Sequence, residues 1–218
     1  MPTYLETRPI VIADTECFRD YWSIGFKSPE SGRTRLFEYY DNHPLGKRAI
    51  SSIFRKCTVI TFNGIKYDIP MILYAMSGAT TEELKEASDE LIQYGTPHWV
   101  FMERHNLSMP DFIDHIDLMS VSPGNPQMPS LKIYAGRLHS RKMQELPIEH
   151  DAGIGPVERR HRVLGVGETR FVAEDTLRLV HRHRVVGCNR GTGFKKVGEH
   201  VAARRLAHVV GVRLERQA

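Results

Sequence analysis

Three runs of β-branched and aromatic residues crowd into the first 40 positions, and strand-like and helical patterns alternate after them; no other feature constrains the fold as tightly. The first run, RPIVIAD from Arg8 to Asp14, is compact, apolar and closed by a carboxylate. Tyr21 to Lys27 and Thr34 to Tyr40 follow, parted by a turn-rich stretch with Pro29, Ser31 and Gly32. Such runs predict strands, arranged as a meander. Leu45 to Arg55 then places Leu45, Ala49, Ile50 and Ile53 at helical spacing. Thr58 to Phe62, TVITF, predicts a further strand ending at Asn63-Gly64, where Gly64 is expected to supply the backbone freedom for a sharp exit.

From Asp68, the residues Ile69, Ile72, Leu73 and Met76 recur on one helical face, with Pro70 tolerated in the first turn and Gly78 at the end. A second helix is predicted from Thr81 to about Tyr94, opened by the capping-box spacing of Thr80 and Glu83 and closed by Gly95. Asp114 to Met119 reads as a short strand. A Pro- and Gly-containing loop, Ser122 to Pro129, leads to a helix with Leu131, Tyr134, Ala135 and Leu138 on one face. Strands first, then strands interleaved with helices, predict an α/β fold: a mixed sheet flanked by helices.

The charge is divided along the chain. Residues 1–150 hold 16 Lys and Arg against 19 Asp and Glu, whereas residues 151–218 hold 14 against 7, so the formal net charge of +4 comes from the tail. The chain therefore divides into a domain over residues 1–150 and a basic C-terminal segment over residues 151–218. Apolar runs such as Cys57 to Phe62 and Ile69 to Met76 are too short to span a bilayer. The N-terminal stretch lacks the basic region and apolar core of a secretory signal, which predicts a cytoplasmic protein without a membrane partner. Cys17, Cys57 and Cys188 are odd in number and widely spaced, suiting neither a disulfide framework nor a four-ligand zinc site.

Two short motifs carry the chemistry. Asp14-Thr15-Glu16 directly follows the first strand and suits either of two readings: ordinary turn acids at a strand end, or a pair at i and i+2 of a strand, whose two carboxylates share a face and stand side by side. Their repulsion and lost hydration are relieved by cations. Asn63-Gly64-Ile65-Lys66-Tyr67-Asp68-Ile69-Pro70 sets an amide, an aromatic ring and an acid between a strand and a helix. Asp68 also fits the place of a helix N-cap, and Asn63-Gly64 that of a simple turn. His115 and Asp117 alternate on a short strand and read as its polar edge. Lys132, Arg137, Arg141 and Lys142 suit either a phosphate-tracking face or a solvated helix face.

In these two motifs, their order and the roughly 50 residues between them, residues 8 to about 151 resemble the DnaQ-like (DEDD) 3′-to-5′ exonucleases, particularly the proofreading domains of family B DNA polymerases and small stand-alone phage exonucleases. The resemblance implies a ribonuclease H-like fold and two-metal phosphodiester hydrolysis with Mg²⁺ or Mn²⁺. It implies Asp14 bridging both divalent ions, Glu16 holding one, and Asp68 acting on the other directly or through water. Asn63, with Thr15 and Tyr67, would contact the terminal nucleotide of single-stranded DNA or of a DNA 3′ end, and a DNA polymerase is an implied partner. A ribonuclease of the same fold and a catalytically incomplete nucleic-acid-binding module are the alternatives.

The family's third motif, a Tyr or His followed after a few residues by Asp, is expected near residues 165–169, where the chain reads Gly-Val-Gly-Glu-Thr. The nearest substitute is Phe171 to Asp175, which makes Asp175 the candidate fourth acid and puts Phe where a hydroxyl would orient water. Composition changes at the same place. Residues 151–218 contain no Ser, Tyr, Trp or Met, while Arg and Val occur 12 times each. A nucleic-acid-binding extension or a reading-frame shift between about residues 150 and 165 would each produce this break; a stop codon in the alternative frame would dismiss the second.

Overall fold

A computed structural model describes residues 8–41 and 43–121, with residues 130 and 133. The described chain is an α/β arrangement. Strands β1 (Ile10–Phe18), β2 (Tyr21–Lys27) and β3 (Thr34–Tyr39) are followed by helix α1 (Lys47–Lys56) and strand β4 (Thr58–Thr61). Helices α2 (Asp68–Ser77), α3 (Thr81–Ile92) and α4 (His98–Arg104), strand β5 (His115–Asp117) and helix α5 (Leu118–Val121) complete the order.

The five strands form one mixed sheet in the order β3-β2-β1-β4-β5. The meander predicted from the early runs is present: β1 pairs antiparallel with β2, and β2 with β3. After the crossover through α1, β4 lies parallel to β1, and β5 lies parallel to β4. The alternation of β1 sorts its residues between two apolar layers. Ala13 and Cys17 join Trp22, Ile24, Phe26 and Val59 in a core completed by Phe54 of α1, Ile72 of α2, Leu84 of α3 and Phe101 of α4. On the opposite face Ile10 and Ile12 meet Ile60, Ile116 and Leu118.

Local chemistry sets the helix ends. Thr80 Oγ1 accepts from the Glu83 N–H at 3.2 Å, and Glu83 Oε2 accepts from the Thr80 N–H at 2.7 Å, the predicted capping box. Gly78 ends α2 at φ 118°, a conformation in which a Cβ is strained.

Several predicted boundaries move. β1 runs on through Phe18, so the Asp-x-Glu motif lies inside the strand. β5 stops at Asp117, where the chain turns into α5 instead of continuing to Met119. Helix α4 was not expected, because behind Pro97 the seven residues HWVFMER bury only Phe101 and show no repeating face. Apart from Ile133, the helix predicted around Leu131 to Leu138, the basic residues Lys132, Arg137, Arg141 and Lys142, and Asp175 lie outside the described residues. No helix among the described residues is long and apolar enough to cross a membrane.

Candidate active site

The site begins with a mismatch in strand length. β1 is paired with β2 from Ile12 to Phe18, but β4 accompanies it only along Ile10, Val11 and Ile12. Beyond Ile12 the β4 side of β1 has no strand neighbour among the described residues, and its backbone N–H groups need other partners. The first residue of α2 supplies one. Asp68 Oδ1 accepts the Thr15 N–H at 3.2 Å and the Thr15 hydroxyl at 2.6 Å, joining residues 53 positions apart.

This contact bears on two residues. Asp68 is not the N-cap of α2: Tyr67 holds that position, and the helix carries no side-chain cap hydrogen bond. Thr15, expected to touch substrate, is buried and holds the carboxylate of Asp68. With Ala13 and Cys17 turned to the helices, Asp14 and Glu16 occupy the opposite face of β1, each partly buried. Their register partners on β2 are Gly25 and Ser23, the smallest side chains of that strand.

Asp68 is 4% exposed. Burial pushes its carboxyl from the ordinary 3.8 up to about 8; the Asp14 charge adds to the rise, the two Thr15 hydrogen bonds oppose it, and Asp117 contributes a further push. Glu16 extends the negative field to Tyr67, whose phenol is raised well above its usual range chiefly by burial. The Tyr67 hydroxyl is paired with Ser88 Oγ at 2.8 Å, so the polar end of this expected substrate residue points into α3.

A tight loop carries Asn63 toward Asp68. Asn63 adopts φ 63°, and its carbonyl accepts the N–H groups of Lys66 and Tyr67. The left-handed residue is therefore Asn63, which tolerates that region, and not Gly64. Gly64 is required for a different reason: a Cβ there would lie 1.8 Å from Thr61 Oγ1. The loop is held from outside by Asp117, whose Oδ1 accepts the Asn63 N–H at 2.8 Å and whose Oδ2 accepts the Ile65 N–H at 3.0 Å. Asp117 is thus no polar strand edge; it is 4% exposed and touches the second motif. Its neighbour His115 pairs through Nε2 with Thr61 Oγ1 at 2.7 Å, and burial lowers its pKa from 6.5 to about 4 against the pull of Asp117 and Asp114. The alternation His-Ile-Asp signalled a shared face for both residues, but the 54 positions between Asn63 and Asp117 hid their contact.

The donor chemistry suits a hard divalent cation, since carboxylate oxygens are its preferred ligands and buried like charges gain from it. Among the described residues no group of three or more His, Cys, Asp or Glu side chains is gathered as a ready metal shell; the charge acting most strongly on Asp68 is that of Asp14. Compared with protein-family models, curated proteins and solved structures, the chain has no match.

Proposed function

We propose that this chain is a metal-dependent 3′-to-5′ exonuclease that hydrolyses phosphodiester bonds at DNA 3′ ends. One observation carries the reading: Thr15, the centre of the Asp-x-Glu motif, holds the acid of the second motif, so residues 53 positions apart in sequence meet at one place. The strand order β3-β2-β1-β4-β5, antiparallel over its first three strands and parallel over the rest, is compatible with the ribonuclease H-like fold that the resemblance implies.

Asp14, Glu16 and Asp68 would hold the divalent ions, Mg²⁺ or Mn²⁺, with Asp175 the candidate for a further acid. Bound divalent ions supply an activated water and offset charge on the displaced oxygen. Thr15 aims the Asp68 carboxylate by two hydrogen bonds, and burial keeps that carboxylate poorly hydrated and responsive to a cation. Asn63, at the loop turn before α2, would orient the terminal nucleotide of single-stranded DNA.

Purified protein is incubated with 3′-end-labelled single-stranded DNA or RNA in Mg²⁺ or Mn²⁺, then with chelator. The reading expects metal-dependent, stepwise loss of 3′ nucleotides from DNA. Loss from RNA alone makes the chain a ribonuclease, and binding of ends without hydrolysis makes it a binding module; either result displaces the proposal.

A further inference from the structure

We propose that Asp117 is a positioning residue of this site: its carboxylate sets the loop between β4 and α2, and through that loop places Asn63 and Asp68. What is being placed rests on the exonuclease reading; the anchoring stands on its own geometry. The parallel register of β4 and β5 sets Asp117 beside Thr61, two residues before Asn63. From there the buried carboxylate accepts three backbone N–H groups, those of Asn63 at 2.8 Å, Ile65 at 3.0 Å and Met119 at 2.9 Å.

Two of those three donors belong to the loop, and one opens α5. The anchored segment then passes its geometry on: the Asn63 carbonyl receives the Lys66 and Tyr67 N–H groups, and the Gly64 carbonyl receives that of Ile69, which seats the first turn of α2 and its Asp68. Three accepted N–H bonds make Asp117 an anchor of the backbone, not a cation ligand. Gly64 is pressed against Thr61 on one side while Asp117 holds Asn63 and Ile65, so the loop has little room to shift without losing these contacts.

The test is Asp117→Asn in the full chain. The amide keeps the size of the side chain but replaces one acceptor oxygen with a donor, so one of the two anchor points opposes a backbone N–H. The variant is expected to fold, to lose hydrogen-exchange protection at the Asn63 and Ile65 amides, and to bind Mn²⁺ roughly 10- to 100-fold more weakly by calorimetric titration. On end-labelled DNA its kcat should fall by a similar factor with KM little changed. Native Mn²⁺ affinity and kcat in a folded variant would overturn the proposal. So would Asn63 and Ile65 amides that exchange at unprotected rates in the wild-type chain, a result that decides the matter even if Asp117→Asn does not fold. A wild-type chain that neither binds Mn²⁺ nor cuts DNA defeats the exonuclease reading and the placement with it; failure confined to the variant defeats the positioning role alone.

Discussion

The start of α2 and the end of β5 each bury one carboxylate to the same extent, 4% exposed, yet they treat it differently. Asp117 accepts three backbone N–H groups on both of its oxygens. Asp68 receives both of its hydrogen bonds on one oxygen, from a single residue, and faces the charge of Asp14. A buried carboxylate surrounded by backbone donors belongs to the scaffold. One that is desolvated beside a like charge is a place where a cation changes the balance of energies. Degree of burial alone would not separate the two; the partners do.

The largest effect that can break this contrast is on activity. Asp68→Ala and Asp14→Ala should each lower the DNA 3′-end hydrolysis rate by about two to three orders of magnitude, the scale of losing one preorganised charge-stabilising group. Near-wild-type rates in either variant would overturn the assignment of Asp14 and Asp68 as a cation-binding pair. Gly64→Ala probes the loop between the two carboxylates. Its Cβ would collide with Thr61, so a loss of about 1–3 kcal/mol is expected in chemical denaturation, typical of overpacking.

Thr15→Val keeps the volume of the side chain and removes the hydroxyl that Asp68 accepts at 2.6 Å. Loss of that buried donor should cost about 1–3 kcal/mol of stability, and the Mn²⁺ affinity should fall with it. An unchanged denaturation midpoint would mean that the hydroxyl does not hold the carboxylate.

A further effect is a pH dependence of the thermal midpoint, read in chelator. Asp68 has a folded pKa of about 8 against an ordinary 3.8, so its stabilising contribution is complete below the lower value and is lost as pH rises through the upper one. His115 runs the other way. Its pKa is lowered from 6.5 to about 4, so its contribution is complete above 6.5 and is lost as pH falls through about 4. The two slopes oppose each other between about pH 4 and 6.5, so Asp68→Asn should remove the decline toward pH 8 and leave a fall toward pH 4, whereas His115→Asn should leave a midpoint that rises as pH falls across the whole range. A wild-type midpoint that climbs steadily from pH 4 to 8 would contradict the assignment for Asp68.

The elements with a strong local signature were legible. Tyr21 to Lys27 is the β2 strand as read, and the Thr80–Glu83 capping box opens α3 at the expected residue. The site was legible only in its ingredients. The spacing of Asp14 and Glu16 announced a shared strand face, and Asp68 announced the start of α2, yet a local reading also offered Asp68 as a cap. That reading failed because the carboxylate finds donors across the sheet on Thr15. Thr15 and Tyr67, taken for substrate contacts, each place their hydroxyl on a protein partner, and Asp117, set aside as a strand edge, is the anchor of the loop.

By itself the sequence determined the order of the strands and of α1 to α3, the shared strand face of Asp14 and Glu16 and the turn before α2, because alternation, helical periodicity and turn preference act over a few residues. Only the tertiary structure decided that β4 ends short of Thr15, that Asp68 enters the gap, and that Asp117 holds Asn63 and Ile65. The reason is physical. Hydrogen-bond partnership, desolvation and like-charge repulsion depend on distances between atoms more than 50 residues apart, and those distances exist only once the sheet has closed in register.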